Sequence, residues 1–150
     1  PFALPFSPTV VTCMDVLEHI EKDSDFLKHV VSLMPKNGVF IASVPACPSF
    51  YSEWDRRLNH FRRYSKSQFE SLLTGAGLTI ERSSFMWSFL SPMGPIRKLR
   101  KKRYDDCMEF EKVPAVVNET LVTLSKMEYT LSKVIPLPIG TSLIAIATKR

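Results

Sequence analysis

Residues 9–14 (Thr-Val-Val-Thr-Cys-Met) form a short, apolar, β-branched run that stops at Asp15. Such a run predicts a strand buried on both faces, as in a parallel sheet. Over residues 25–34 the period changes. Phe26, Leu27, Val30, Val31 and Met34 recur at helical spacing, with Asp23 or Ser24 placed to cap the helix. Pro35-Lys36-Asn37-Gly38 is a helix stop, with Gly38 expected to take a positive φ. Residues 39–44 are a second near-continuous apolar run, closed by Pro45. Strand, helix and strand at this spacing predict a βαβ unit with a right-handed crossover.

Residues 46–64 show no clean period and mix Phe50, Tyr51, Trp54, Phe61 and Tyr64 with charges, the pattern of a long loop with room for a helical turn. Ser65-Lys66-Ser67-Gln68 fits a capping box. Phe69, Leu72, Leu73 and Ala76 then make one helix face, ended by Gly75 and Gly77. Residues 78–84 alternate as a strand, residues 86–103 hold an aromatic–proline patch and a basic helix, and residues 142–148 form a last apolar strand. Between them, residues 118–135 predict a longer helix with Leu121, Leu124, Leu131 and Ile135 on one stripe. The order predicts one α/β, Rossmann-like domain with a helical insert at about residues 91–135. Its sheet reads as part of a doubly wound one.

Hydrophobic residues at 45% and charged residues at 23% fit an ordinary globular protein and exclude disorder. The net charge of +5 owes much to residues 97–103, so a local basic stretch accounts for it. That stretch lacks regular aromatic interleaving and matches no nucleic-acid module, so nucleic-acid binding is not expected. Preceded by Phe85-Met86-Trp87-Ser88-Phe89-Leu90, it reads as a substrate lid, a peripheral contact with a membrane surface, or a solvated basic helix. No apolar run approaches the roughly 20 residues that span a bilayer. Cys13, Cys47 and Cys107 are an odd set without a C-x-x-C pair, which fits free thiols and a cytoplasmic setting.

Asp15-Val16-Leu17-Glu18-His19-Ile20 resembles the run that follows the fourth strand in class I S-adenosylmethionine-dependent methyltransferases. Leu33-Met34-Pro35-Lys36-Asn37-Gly38 resembles that family's turn into strand five, and Ser43-Val44-Pro45 its strand-five ending. Asp55 with His60-Phe61-Arg62-Arg63-Tyr64-Ser65 resembles a D…H-x-R-R-Y-[ST] signature of one branch. Ala76-Gly77-Leu78 is similar to the entry to strand six, and residues 138–143 to the approach to strand seven. The ordered set covers almost the whole chain.

The resemblance implies S-adenosylmethionine as cofactor, with Asp15, Leu17, Glu18 and His19 bordering it, and a small-molecule or lipid-linked methyl acceptor. His60 is the candidate for handling the acceptor's proton, and Asp55, Arg62, Arg63 and Tyr64 either orient substrate or brace the loop. The family's Gly-rich cofactor loop after strand one has no counterpart here. Gly75-Ala76-Gly77 has a G-x-G spacing but sits at a helix end. The chain also opens at Pro1 without a Met. It is therefore expected to supply strands four to seven and to be inactive alone. The N-terminal half, or a partner chain on which it serves as an interaction module, would complete the sheet. A metal site is not expected. Asp15, Glu18 and His19 can ligate, but no second His or Cys follows at short spacing, His29 falls on the next helix, and His60 lies in a distant loop.

Overall fold

A computed structural model describes residues 7–95 and 113–150. The elements in chain order are β1 (Val10–Met14), α1 (Asp23–Leu33), β2 (Val39–Pro45), α2 (Glu53–Arg57), α3 (Lys66–Gly75), β3 (Leu78–Met86), α4 (Ala115–Leu131) and β4 (Ser142–Lys149). Three 3-10 turns, Leu17–His19, Pro48–Phe50 and Ser88–Leu90, lie among them.

The strands form one sheet in the order β1-β2-β4-β3. β1 runs parallel to β2, with Cys13 opposite Ala42. β4 is antiparallel to both neighbours, with Ala145 opposite Ala42 and Ser83. Three strands thus run the same way, and the carboxyl ends of β1, β2 and β3 share one edge of the sheet. This is the expected α/β, Rossmann-like architecture.

Strand alternation puts Phe40, Ala42 and Val44 on one face with Leu143, Ala145 and Ala147, all buried. Leu27 and Val31 of α1 and Phe69 and Leu73 of α3 join them in a single core cluster. Each fully buried Phe or Leu contributes on the order of 1.5–3 kcal/mol. A register shift between Ile80 and Arg82 keeps Ile80 opposite Ala147 while turning Arg82 to the Ile146 side.

The structure corrects several expectations. β1 is not buried on both faces. Only Cys13 is buried, and Val10 and Met14 are 55% and 47% exposed, because β1 pairs with β2 alone and its outer face is uncovered among the described residues. The positive φ of the 35–38 turn falls on Asn37 (62°) rather than Gly38. Gly38 is needed for space instead, since a Cβ there would lie 3.0 Å from the Pro35 carbonyl oxygen. Neither Asp23 nor Ser24 caps α1. Lys22 is the N-cap, without a side-chain cap bond, because Oδ2 of Asp23 is taken by Arg62 and Tyr64.

Residues 46–64 contain a 3-10 turn and a capped helix, α2, rather than a loop with one turn. The expected Ser65–Gln68 capping box is formed, with the Gln68 N–H donating to Ser65 Oγ at 3.2 Å and the Ser65 N–H to Gln68 Oε1 at 2.9 Å. The stripe on the last helix is not a core face. α4 ends at Leu131, none of its residues is buried, and Leu131 and Ile135 are half exposed. Residues 97–103, Cys107 and part of the 91–135 insert lie outside the described residues. The described start of the insert and the link from it to β4 lie against the sheet's carboxyl edge. Gly94 packs on the Phe50 ring, and a Cβ on Gly140 would meet the Met86 carbonyl oxygen.

Candidate functional site

β1 stops where Asp15 turns to a φ of 51°, and the Asp15 N–H donates to the Ser43 carbonyl at 3.0 Å and to Ser43 Oγ at 3.2 Å. The 3-10 turn that follows buries Leu17 and Glu18 completely or nearly so and leaves His19 exposed. The turn therefore sits just past the carboxyl end of a parallel strand, where open α/β sheets bind ligands.

A second segment, residues 59–64, is strapped across this turn. The Phe61 N–H donates to the Glu18 carbonyl at 2.7 Å. Tyr64 makes an isolated parallel bridge to Ala46, its N–H donating to Pro45 O at 2.9 Å and its carbonyl accepting from the Cys47 N–H at 3.0 Å. The Tyr64 hydroxyl lies 2.8 Å from Asp23 Oδ2 and 3.1 Å from the Leu17 carbonyl, and its single proton serves one of them at a time. Burial first, then Asp23, pushes its pKa above the ordinary tyrosine value. Arg62 donates to Asp23 Oδ2 at 3.0 Å and to the Glu21 carbonyl at 2.7 Å. The strap is thereby fastened to the start of α1.

Asp55 anchors the other end. Its buried carboxylate accepts from Arg63 Nε at 2.7 Å and His60 Nδ1 at 3.2 Å on Oδ1, and from the Ser52 N–H and hydroxyl at 2.9 and 3.0 Å on Oδ2. Burial would raise its pKa, but Arg63 and the Ser52 bonds outweigh it and hold the carboxyl below its ordinary value. Burial lowers the His60 imidazole, against the opposite pull of Asp55. A neutral His60 bonded through Nδ1–H to a carboxylate keeps its Nε2 lone pair available.

The strap carries His60 to His19, where the rings meet edge to face with centroids 4.7 Å apart. The expectation that His60 lies in a loop remote from the 15–19 turn is thus corrected: the two segments are one site. Glu18 joins them. Burial first, and Asp15 next among the raising influences, push its carboxyl up to about 7, and its Oε2 is buried without a hydrogen-bond partner among the described residues.

The sequence-level candidates therefore converge on one edge of the sheet, with Asp15 and Leu17 forming the turn itself and the others in two roles. Asp55, Arg62, Arg63 and Tyr64 have their polar groups engaged in fastening the strap. Glu18, His19 and His60 face one another. Ser52 and Asp23 were missed as site residues. The S-x-x-D spacing of Ser52 and Asp55 was the available signal for the first, and Asp23 carries none because its partners are distant in sequence. Beside the strap, Asp23, Arg62, Arg63, Ser67, Gln68 and Leu72 help line an open cavity of about 520 Å³ with mixed polar and apolar walls.

Residues 6–83, just over half of the chain, match the family described as "Methyltransferase domain". No curated protein matches the chain. Among solved structures, a chain of the Haloferax volcanii complex between the Trm112 methyltransferase activator and a methyltransferase is 14% identical with a TM-score of 0.54, over 97% of this chain and 57% of that one. A Bacillus halodurans protein described as a methyltransferase is 18% identical with a TM-score of 0.52, over 98% and 73%. Phosphoethanolamine N-methyltransferase 2 of Haemonchus contortus, in complex with S-adenosyl-L-methionine, is 14% identical with a TM-score of 0.51, over 94% and 33%. At these identities the likeness is one of fold. This chain spans little more than half the length of the first of them.

Proposed function

This chain belongs to the methyltransferase-domain family, and from that premise we propose that it forms the acceptor-side half of an S-adenosylmethionine-dependent methyltransferase site. The observation that carries the reading is the turn at Asp15, Leu17, Glu18 and His19, set past the carboxyl end of β1 with His60 delivered against it. In this reading the turn borders the cofactor, and the acceptor lies between it and the strap. Methyl transfer is an in-line displacement, so the protein chiefly fixes the acceptor and removes its proton where needed. His60 takes that proton through Nε2, with Asp55 orienting the ring through Nδ1. Asp55, Arg62, Arg63 and Tyr64 act by holding the strap in place.

The test is binding and turnover in the full polypeptide that carries this chain. Replacing the exposed Asp15 by Arg should abolish S-adenosylmethionine binding. His60→Ala should leave binding intact and lower methyl transfer by about 10²–10⁴-fold. Unchanged cofactor affinity in the Asp15 variant, or full turnover in the His60 variant, would count against the assignment.

The 150 residues alone are proposed to be inactive. Among the described residues β1 has one free edge, and it carries exposed Val10 and Met14, which supports a sheet continued by further strands. Those strands, with the Gly-rich cofactor loop, come from polypeptide N-terminal to this chain. The same free edge supports the alternative of a non-enzymatic interaction module whose sheet is completed by a partner chain. The two are separated by whether S-adenosylmethionine binds the completed sheet.

For the acceptor, a small or lipid-linked molecule is proposed. An open groove of about 910 Å³ between Phe89 and the Met127, Leu131, Val134 and Ile135 side of the insert is predominantly apolar and supports the lipid-linked form. No helix among the described residues is long and apolar enough to cross a membrane, so any membrane contact through this groove would be peripheral. The free thiols of Cys13 and Cys47 support a cytoplasmic setting.

A further inference from the structure

We propose that Glu18, His19 and His60 bind a divalent first-row transition-metal ion of the Zn²⁺ or Co²⁺ kind. A carboxylate oxygen of Glu18 and one ring nitrogen from each histidine all lie within 4.8 Å of one another. A tetrahedral ion with bonds of about 2.0–2.2 Å holds its ligand atoms roughly 3.4 Å apart. Side-chain rotations that move these atoms by about an ångström close that difference, with the backbone left as it is.

Two independent features point at a cation. Glu18 is 1% exposed and its Oε2 has no hydrogen-bond partner among the described residues. A buried carboxylate oxygen is rarely left so, and a metal ion supplies the missing partner. His60 has the support expected of a metal ligand, since its Nδ1 is bonded to Asp55 and Nε2 is left to bind. Asp55 is itself fixed by Ser52 and Arg63, so the ring cannot swing freely. Asp15 adds negative charge beside Glu18, and Arg63 sets one positive charge against it.

Two imidazoles and one carboxylate favour borderline ions over Mg²⁺ or Ca²⁺, which prefer oxygen ligands. Three protein ligands leave at least one position open, and the exposed His19 puts that position within reach of solvent. This inference goes beyond the methyltransferase reading, because the ion would bind with or without S-adenosylmethionine. It also bears on that reading. One Nε2 lone pair cannot hold a cation and take a proton together, so in the loaded protein the ion, rather than His60, would acidify an acceptor hydroxyl.

The test uses Co²⁺ as probe in the full polypeptide, stripped first with a chelator. Titration should give visible d–d bands saturating at one equivalent and lost on adding Zn²⁺. His19→Ala is the lead variant because His19 is exposed and its loss should leave the fold intact. It, Glu18→Gln and His60→Ala should each weaken Co²⁺ binding by at least about 100-fold, in line with the effect of disturbing ligand geometry. His29→Ala, at an exposed histidine of α1, should change nothing. Absence of the bands in the unaltered protein overturns the proposal even if a variant misfolds, and so does undiminished binding in His19→Ala. S-adenosylmethionine binding measured in the same samples separates the two readings, since its retention without Co²⁺ binding would sink the metal site alone.

Discussion

His19 and His60, far apart in sequence, meet edge to face with ring planes at 84°. Neither position is set by its own element. His19 is placed by the end of β1, and His60 by a strap held at one end by Asp55 and at the other by Tyr64 and Arg62. The site is therefore only as well made as the strap, and its anchors are open to direct test.

Asp55 is the first anchor. Its side chain is fully buried and takes four hydrogen bonds, from Ser52, His60 and Arg63. Removing one partner of a buried charge pair leaves the other uncompensated, at a cost of about 3–5 kcal/mol. Asp55→Ala should therefore lower unfolding free energy by about that amount in urea titrations. A loss below about 1 kcal/mol would mean that Arg63 and His60 find other partners.

Gly140 is an anchor of a different kind, set by space. A Cβ there would collide with the Met86 carbonyl oxygen and lie 2.9 Å from Phe85 Cβ, where the chain enters β4. Backbone cannot yield as a side chain can, so Gly140→Ala should destabilise by about 1–3 kcal/mol. Gly75 is the control. Nothing among the described residues lies within 4 Å of its Cβ position, and it occupies the last turn of α3, so Gly75→Ala should be neutral or stabilising by up to about 1 kcal/mol. Thermal unfolding of the pair decides. Equal effects would show that the close approach at Gly140 is not what matters.

Much of this was legible in the chain and some was not. Apolar runs ending at Asp15 and Pro45, the Ser65–Gln68 box and the helical face at Phe69 and Leu73 read directly, because each depends on neighbours within a few residues. Val10 and Met14 misled. β-branched and apolar residues predict burial, but a strand's position in the sheet order is not encoded in its own residues. Asp23 misled for the opposite reason, since a good capping residue was drawn to Arg62 and Tyr64. Asn37 rather than Gly38 took the left-handed turn, and the close approach to Pro35 explains why the glycine stands beside it. His60 was recognised as chemically interesting, but its partners Glu18 and His19 could be assigned only once Tyr64 was seen to bridge to Ala46.

Cys13 gives a prediction in pH. Burial, and then the nearby Glu18, push its thiol from 9.0 up to about 11. The folded state thus favours the neutral thiol. Its stabilising effect is whole below pH 9 and is lost as pH rises through about 11. Cys13→Ala should flatten the fall of stability over that window relative to the unaltered protein. Cys13 should also resist alkylation near neutral pH until the protein is unfolded. Rapid labelling of Cys13 in the folded protein would show that β1 opens readily.

The most direct measurement compares S-adenosylmethionine affinity for these 150 residues alone with affinity for the same residues joined to the strands proposed to continue the sheet along β1. The completed sheet should bind at least about 100-fold more tightly, a difference of roughly 2.7 kcal/mol, and it alone should transfer methyl groups. Equal affinity in both forms would contradict the account, and so would turnover by the 150 residues alone at rates like those of an intact enzyme.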